Sequence, residues 1–105
     1  YAWVGDDTVL YTLGDITLGA NSVVSQKCYL CTGSHDYQSA HFDINATPIV
    51  IGDKCWLATD VFVAPGVTIG DGTVVGARSS VFKSLPANMI CRGNPAVVIR
   101  ERVEK

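Results

Sequence analysis

A chain of 105 residues has room for one small domain, and its formal charge of −2 argues neither for nor against a nucleic-acid partner. No apolar run approaches the ~18–20 residues of a membrane span and no signal peptide is visible, so a membrane is not an expected partner; nucleic acid is not expected either. The basic residues are lopsided: Arg78, Lys83, Arg92, Arg100, Arg102 and Lys105 follow residue 77, whereas eight of the ten acids lie at or before Asp71. That asymmetry suits a small anionic ligand near the C-terminal half as well as it suits a solvated tail. Four cysteines in such a chain do not demand disulfides, and a cytoplasmic setting with free thiols is the simpler expectation.

The chain opens on Tyr1-Ala2-Trp3, already inside a repeat-like segment, and the expectation is one β-helix domain over 1–105 that lacks an N-terminal portion. Val4-Gly5-Asp6 with Thr8 reads as a repeat two residues out of phase with the later hexads. Trp3 and Tyr11 are expected exposed or half-buried, and the bare strand edge of this first coil needs cover. An aliphatic residue then recurs at Leu18, Val24 and Leu30, and again at Ile51, Leu57, Val63, Ile69, Val75 and Val81. A second column falls four positions later: Ser22, Cys28 and Ser34, then Cys55, Val61, Val67, Thr73, Ser79 and Leu85. Residues 36–48 break the register with a polar excursion, and ejected loops often carry function. Pro86 to Pro95 is turn-rich, and Ala96 to Lys105 is expected to form a last strand running into a short helix.

The second column lies two residues before the next aliphatic, so the pair has strand period and points one way. Each hexad is then a short strand, and the Gly-Asp or Gly-Ala after it is a corner where glycine permits the bend. Three hexads close a triangular coil of 18 residues, and successive coils stack as parallel strands roughly 4.8 Å apart. The fold class predicted is all-β, a parallel β-helix with a protruding loop at 36–48 and a short C-terminal segment. Val23, Tyr29, Trp56, Phe62 and Val74 must face outward. So much exposed apolar surface on a three-sided prism suggests a cyclic trimer.

Cys28-Tyr29-Leu30-Cys31 has C-x-x-C spacing, and with His35 and His41 it mimics a metal site. The register argues against that, because Cys28 points inward and Cys31 sits at a corner. No metal is expected. His35 stands where the loop leaves a rigid strand, beside Gly33 and ahead of the excursion. A histidine with an ordinary pKa of about 6.5 can take a proton from a hydroxyl at neutral pH. Asp36 either orients it, contacts substrate or starts the loop's turn. Thr59, Ala77 and Pro95 follow one another at 18-residue intervals. A long ligand lying along the prism could touch each corner in turn and meet Lys83 and Arg100 with its phosphates.

The hexads, Thr32-Gly33-Ser34-His35-Asp36 and its loop, Ile51-Gly52-Asp53 with Trp56, Pro65-Gly66-Val67-Thr68-Ile69-Gly70, and Gly93-Asn94-Pro95-Ala96 together resemble the hexapeptide-repeat acyltransferases. Within them the chain is most similar to the colanic-acid biosynthesis group and to the maltose, galactoside and nodulation acetyltransferases. The resemblance implies a left-handed β-helix, a rare exception to right-handed crossovers. It also implies a homotrimer with acetyl-CoA in a groove between neighbouring prisms. It places the catalytic histidine at His35, the active-site tryptophan at Trp56, and the coenzyme contacts at Thr59, Ala77, Lys83 and Arg100; Asp36 and Trp56 are the expected substrate-binding residues. The implied reaction is O-acetylation of a small saccharide acceptor, with His35 as general base and a backbone amide near Thr59 stabilising the oxyanion. Val97 stands where relatives often carry a basic residue. That departure, with the shortened N-terminus, keeps a non-catalytic β-helix assembly module open, and N-acylation of an amino sugar is a further alternative.

Overall fold

The computed structural model describes residues 1–103, which form fifteen short strands and no helix. Three parallel sheets wrap a narrow prism. The first face carries β1 (Ala2–Val4), β4 (Ser22–Val24), β9 (Trp56–Leu57), β12 (Val74–Val75) and β14 (Met89–Gly93). The second carries β2 (Val9–Tyr11), β5 (Tyr29–Cys31), β10 (Phe62–Val63) and β13 (Ser80–Val81). The third carries β3 (Ile16–Leu18), β8 (Ile49–Ile51) and β11 (Thr68–Ile69), and Ile69 bridges Leu85 below it. The molecule measures 52 × 26 × 19 Å.

The 18-residue repeat is the vertical register of these sheets: Leu57 pairs with Val75 and Val63 with Val81. Both predicted columns fill the interior. Ile51, Leu57, Val63, Ile69, Val75 and Val81 are buried, as are Cys55, Val61, Val67, Thr73, Ser79 and Leu85. The small polar members of the second column also join one coil to the next. Ser22 Oγ donates to the Gly52 carbonyl at 2.6 Å and accepts from Cys55 N at 3.0 Å. Thr73 Oγ1 does the same with the Pro86 carbonyl and Met89 N. Cys28 Sγ donates to the Ala58 carbonyl at 3.1 Å, and Cys55 Sγ to that of Gly70 at 3.2 Å. A hydroxyl or thiol is therefore suited to these sites, since the turning backbone presents polar groups that the sheets do not pair.

The corners work differently from the expectation. Gly52 and Gly70 stand at bends but do not supply the left-handed residue. That conformation falls two positions later, at Lys54 (φ 56°), Asp60 (60°), Gly66 (79°), Gly72 (75°) and Arg78 (60°). Gly52 is required because the next coil lies against it: a Cβ there would run into the Asp71 carboxylate and approach Asp71 N to 2.8 Å. Asp71 Oδ1 in turn accepts from Asp53 N at 2.7 Å, and Asp53 Oδ1 from Ala20 N at 2.8 Å, so stacked carboxylates cap one edge.

Two departures from the regular coil matter for the site. Val4 pairs with Val24 and Leu10 with Leu30, 20 positions on, so the first coil is two residues longer than 18. Leu18 pairs with Ile51, 33 positions on, an excess of 15 taken up by an ejected arm. The arm is an antiparallel ribbon of β6 (Gly33–His35) and β7 (Ile44–Ala46). It starts three residues before the predicted loop at 36–48. Ser34 is therefore exposed and not inward, and Ile49 takes the interior place the repeat had assigned to it. At the arm's base Thr32 is buried, and its carbonyl accepts from Thr47 N at 2.9 Å.

The C-terminal segment also differs. Where a strand leading into a helix was expected, β14 turns back antiparallel into β15 (Ala96–Glu101). Gly93 (φ 113°) permits the turn, and Arg102 then donates from Nη1 to the carbonyls of Lys54 and Gly72, both at 2.9 Å. The last two residues of the predicted helix lie outside the described residues.

Candidate active site

His35 ends β6, held by the ribbon pairing of Gly33 with Ala46, Ser34 with Asn45 and His35 with Ile44. Its Nδ1 lies 2.9 Å from the Phe42 carbonyl. A carbonyl can only accept, so Nδ1 carries the hydrogen, and in the neutral ring the lone pair is then on Nε2. Phe42 itself sits in the left-handed region (φ 50°) with its ring largely exposed. The imidazole borders a cleft of about 240 Å³ lined by Tyr11, Leu13, Tyr29, Gly33, Ser34, His35 and Ile44. Asp36 does not orient the ring: its Oδ1 accepts from Gln38 N at 3.0 Å, and its N donates to the Asp43 carbonyl at 2.8 Å, which closes the arm's tip. His41 is exposed in that tip.

The other candidates stand elsewhere. Trp56 lies on the first face between Val23 and Val74, half-exposed, with Nε1 donating to Ser25 Oγ at 2.9 Å. Thr59 and Ala77 follow β9 and β12 at the edge leading to the second face, where Arg78 N donates to the Thr59 carbonyl at 2.9 Å. Lys83 follows β13, on the same edge as the arm and two coils below it. Arg100 lies on β15, opposite Ile90. Neither Lys83 nor Arg100 forms an ion pair with a described residue. One chain thus carries His35 and Lys83 on one prism edge, and Trp56, Thr59 and Ala77 on another.

Cys28 and Cys31 do not converge. The first donates into the interior to Ala58, and the second to the Gly33 carbonyl at 3.0 Å. Burial pushes the Cys28, Cys55 and Cys91 thiols above their ordinary value, which keeps them neutral. A larger cleft, about 360 Å³, lies at the opposite end between Lys54, Gly72, Asn88, Glu101 and Arg102. Arg102 spends hydrogen bonds there on backbone carbonyls, which makes it a fastening point for the C-terminal strand. Sequence reasoning missed Tyr11, Leu13, Tyr29 and Ile44 as neighbours of His35. The available signal was the two-residue phase shift of the first coil.

Stacked three-strand coils with a protruding arm define a class of proteins built on six-residue repeats. The bacterial transferase hexapeptide (six repeats) family matches residues 48–83. Residues 48–83 thus carry that family's hexapeptide repeat, and the fold is the left-handed parallel β-helix of hexapeptide-repeat acetyltransferases. The chain is 86% identical over 104 residues to WcaF of Escherichia coli K12, to which a colanic acid biosynthesis acetyltransferase activity is ascribed; the match covers 99% of this chain and 57% of that protein. A maltose O-acetyltransferase from Clostridium difficile 630 superposes with a TM-score of 0.92 at 31% identity, over 98% of this chain and 57% of that one. A galactoside acetyltransferase in complex with coenzyme A superposes at 0.70 with 25% identity, over 94% of this chain and 64% of that one. The chain thus spans somewhat more than half the length of these relatives.

Proposed function

We propose that this chain is the β-helix of an acetyl-CoA-dependent O-acetyltransferase acting on a saccharide hydroxyl. The observation that carries the reading is the Nδ1 hydrogen bond of His35 to the Phe42 carbonyl. It holds the imidazole at the cleft with Nε2 free to act as a base. His35 Nε2 takes the proton of the acceptor hydroxyl as its oxygen attacks the thioester carbonyl. The tetrahedral oxyanion then collapses, the C–S bond breaks, and the imidazolium returns the proton to the coenzyme A thiolate. A backbone amide near Thr59 stabilises the oxyanion. No covalent enzyme intermediate is required.

The coenzyme lies along the edge marked by Thr59 and Ala77, and its phosphates are met by Arg100 and, from the arm's edge of the neighbouring copy, by Lys83. Because His35 and the Thr59–Ala77 edge occupy different corners of one prism, the site is assembled between copies in a cyclic trimer, where Trp56 reaches the neighbour's cleft. Trp3, Trp56, Tyr29 and Phe82, each at least 40% exposed, supply the apolar faces such contacts need. Asp36 fixes the arm's tip against the acceptor. Thiol release from acetyl-CoA, measured on a panel of neutral hexoses and amino sugars, tests the reading. His35→Ala should lower kcat by about 10²–10⁴ and leave coenzyme affinity unchanged. Unchanged turnover in that variant would sink the proposal in favour of a non-catalytic assembly module, and a preference for amino sugars would move it to N-acylation.

A further inference from the structure

The first coil's two extra residues fall between β2 and β3, within the stretch 12–15 that includes Leu13. Leu13 does not enter the prism, and neither does Tyr11; they stand 50% and 43% exposed. Both close on the root of the arm. A Cβ on Gly33 would come within 2.7 Å of Leu13 Cδ1 and 2.8 Å of Tyr11 Cε2, although the backbone there is ordinary. Glycine at 33 thus leaves room for two apolar side chains beside the strand that ends in His35. Tyr29 and Ile44, 40% and 64% exposed, complete the cleft.

The walls are notable for their charge as well as their shape. No lysine, arginine or carboxylate lines this cleft among the described residues. The arm itself carries Asp36 and Asp43 and no lysine or arginine. Along the arm's own edge of the prism the first lysine or arginine is Lys83, two coils lower. An anionic group placed beside His35 would give up water without gaining a cation from these walls, and would face two carboxylates at the arm's tip. A pyranose ring, by contrast, has a face of C–H groups that an aromatic wall can take, while one hydroxyl reaches the polar group that fixes its orientation.

We propose that the lengthened first coil is the acceptor-selecting element. Tyr11 and Leu13, with Tyr29 and Ile44, form an uncharged wall beside His35 that receives the apolar face of a neutral pyranoside and disfavours sugar phosphates and nucleotide-linked sugars. The inference rests on the acetyltransferase function proposed for the chain and names its substrate class.

The test uses the intact protein and matched acceptors of one sugar at a time (glucose, galactose, mannose and fucose): the methyl glycoside, the 1-phosphate and the nucleotide-linked form. The methyl glycoside should exceed the 1-phosphate at least tenfold in kcat/KM, equivalent to about 1.4 kcal/mol. Leu13→Arg should shift that ratio several-fold toward the phosphate while the KM for acetyl-CoA stays put, a change that a merely structural role would not produce. Leu13→Ala should raise the acceptor KM and spare kcat. Saturation-transfer NMR on the same pair reads the preference without turnover. Equal use and equal binding of the two forms, with a ratio indifferent to Leu13→Arg, overturns the inference even if His35→Ala is inactive. Full activity of His35→Ala instead removes the reading on which it rests.

Discussion

At the scale of single residues, the interior of the prism is more polar than its aliphatic columns suggest, and each polar atom has a job. Thr73 is fully buried, donates to the Pro86 carbonyl and accepts from Met89 N. Thr73→Val keeps the shape and strands both groups, so it should cost about 1–3 kcal/mol. Thr73→Ser should recover most of that loss in urea unfolding. The thiols make a second case. Cys28, Cys55 and Cys91 are pushed above the ordinary value of 9.0 by burial. An unfolded chain then releases those protons first as pH rises. Their contribution to stability is whole below the unfolded value and is lost as pH climbs through the folded values. The urea midpoint should therefore fall above about pH 9, and fall less in Cys55→Ser. In native protein, iodoacetamide should label Cys31 ahead of the other three, as mass spectrometry would show. The columns were plain in the sequence. The pairing of each hydroxyl and thiol was not, because it depends on which carbonyl of the next coil turns inward.

At the scale of elements, strands two or three residues long survive because each is one rung in a stack, and the corners set the spacing of the rungs. Gly52 illustrates the point. Its dihedral angles are within reach of any residue, yet its neighbour one coil below leaves no room for a Cβ. Gly52→Ala should cost about 1–3 kcal/mol through overpacking and loosen the Asp71 cap on Asp53 N, seen as faster amide exchange at Asp53. Replacing Gly66 should be costly for the other reason, its left-handed φ. The repeat puts the two at different places in the hexad, but only the stacked backbone shows which must bend and which must make room. The arm teaches the same lesson. The break in period located it to within three residues, but its ribbon pairing depends on contacts between residues 33–35 and 44–46 that no periodicity announces. The last strand was expected, but its antiparallel return was likewise invisible, since Ala96–Glu101 pairs with Met89–Gly93 only after Gly93 reverses the chain.

At the scale of the whole molecule, His35 and the Thr59–Ala77 corners stand on different edges of one prism, and the proposed trimer joins them. Mixing makes the claim measurable. His35→Ala and Ala77→Trp should each be inactive alone. Unfolded together and refolded as mixed trimers, they should regain about a quarter of the parental activity, because random assembly brings an intact histidine against an intact corner that often. A mixture as inactive as its components, with light scattering confirming a trimer, would place the whole site within one chain. Legible in the chain alone were the solenoid, its 18-residue coil, the inward columns, the arm's position and His35 as the candidate base on it, because a translational repeat writes the core into the chain at a constant interval. Only the tertiary structure decided which glycines bend and which make room, where the arm is rooted, how Tyr11 and Leu13 come to flank His35, and that the chain carries its candidate groups on two separate edges. Those features depend on contacts between coils 18, 20 or 33 positions apart, and on the departures from the interval, whose side chains the repeat leaves unplaced.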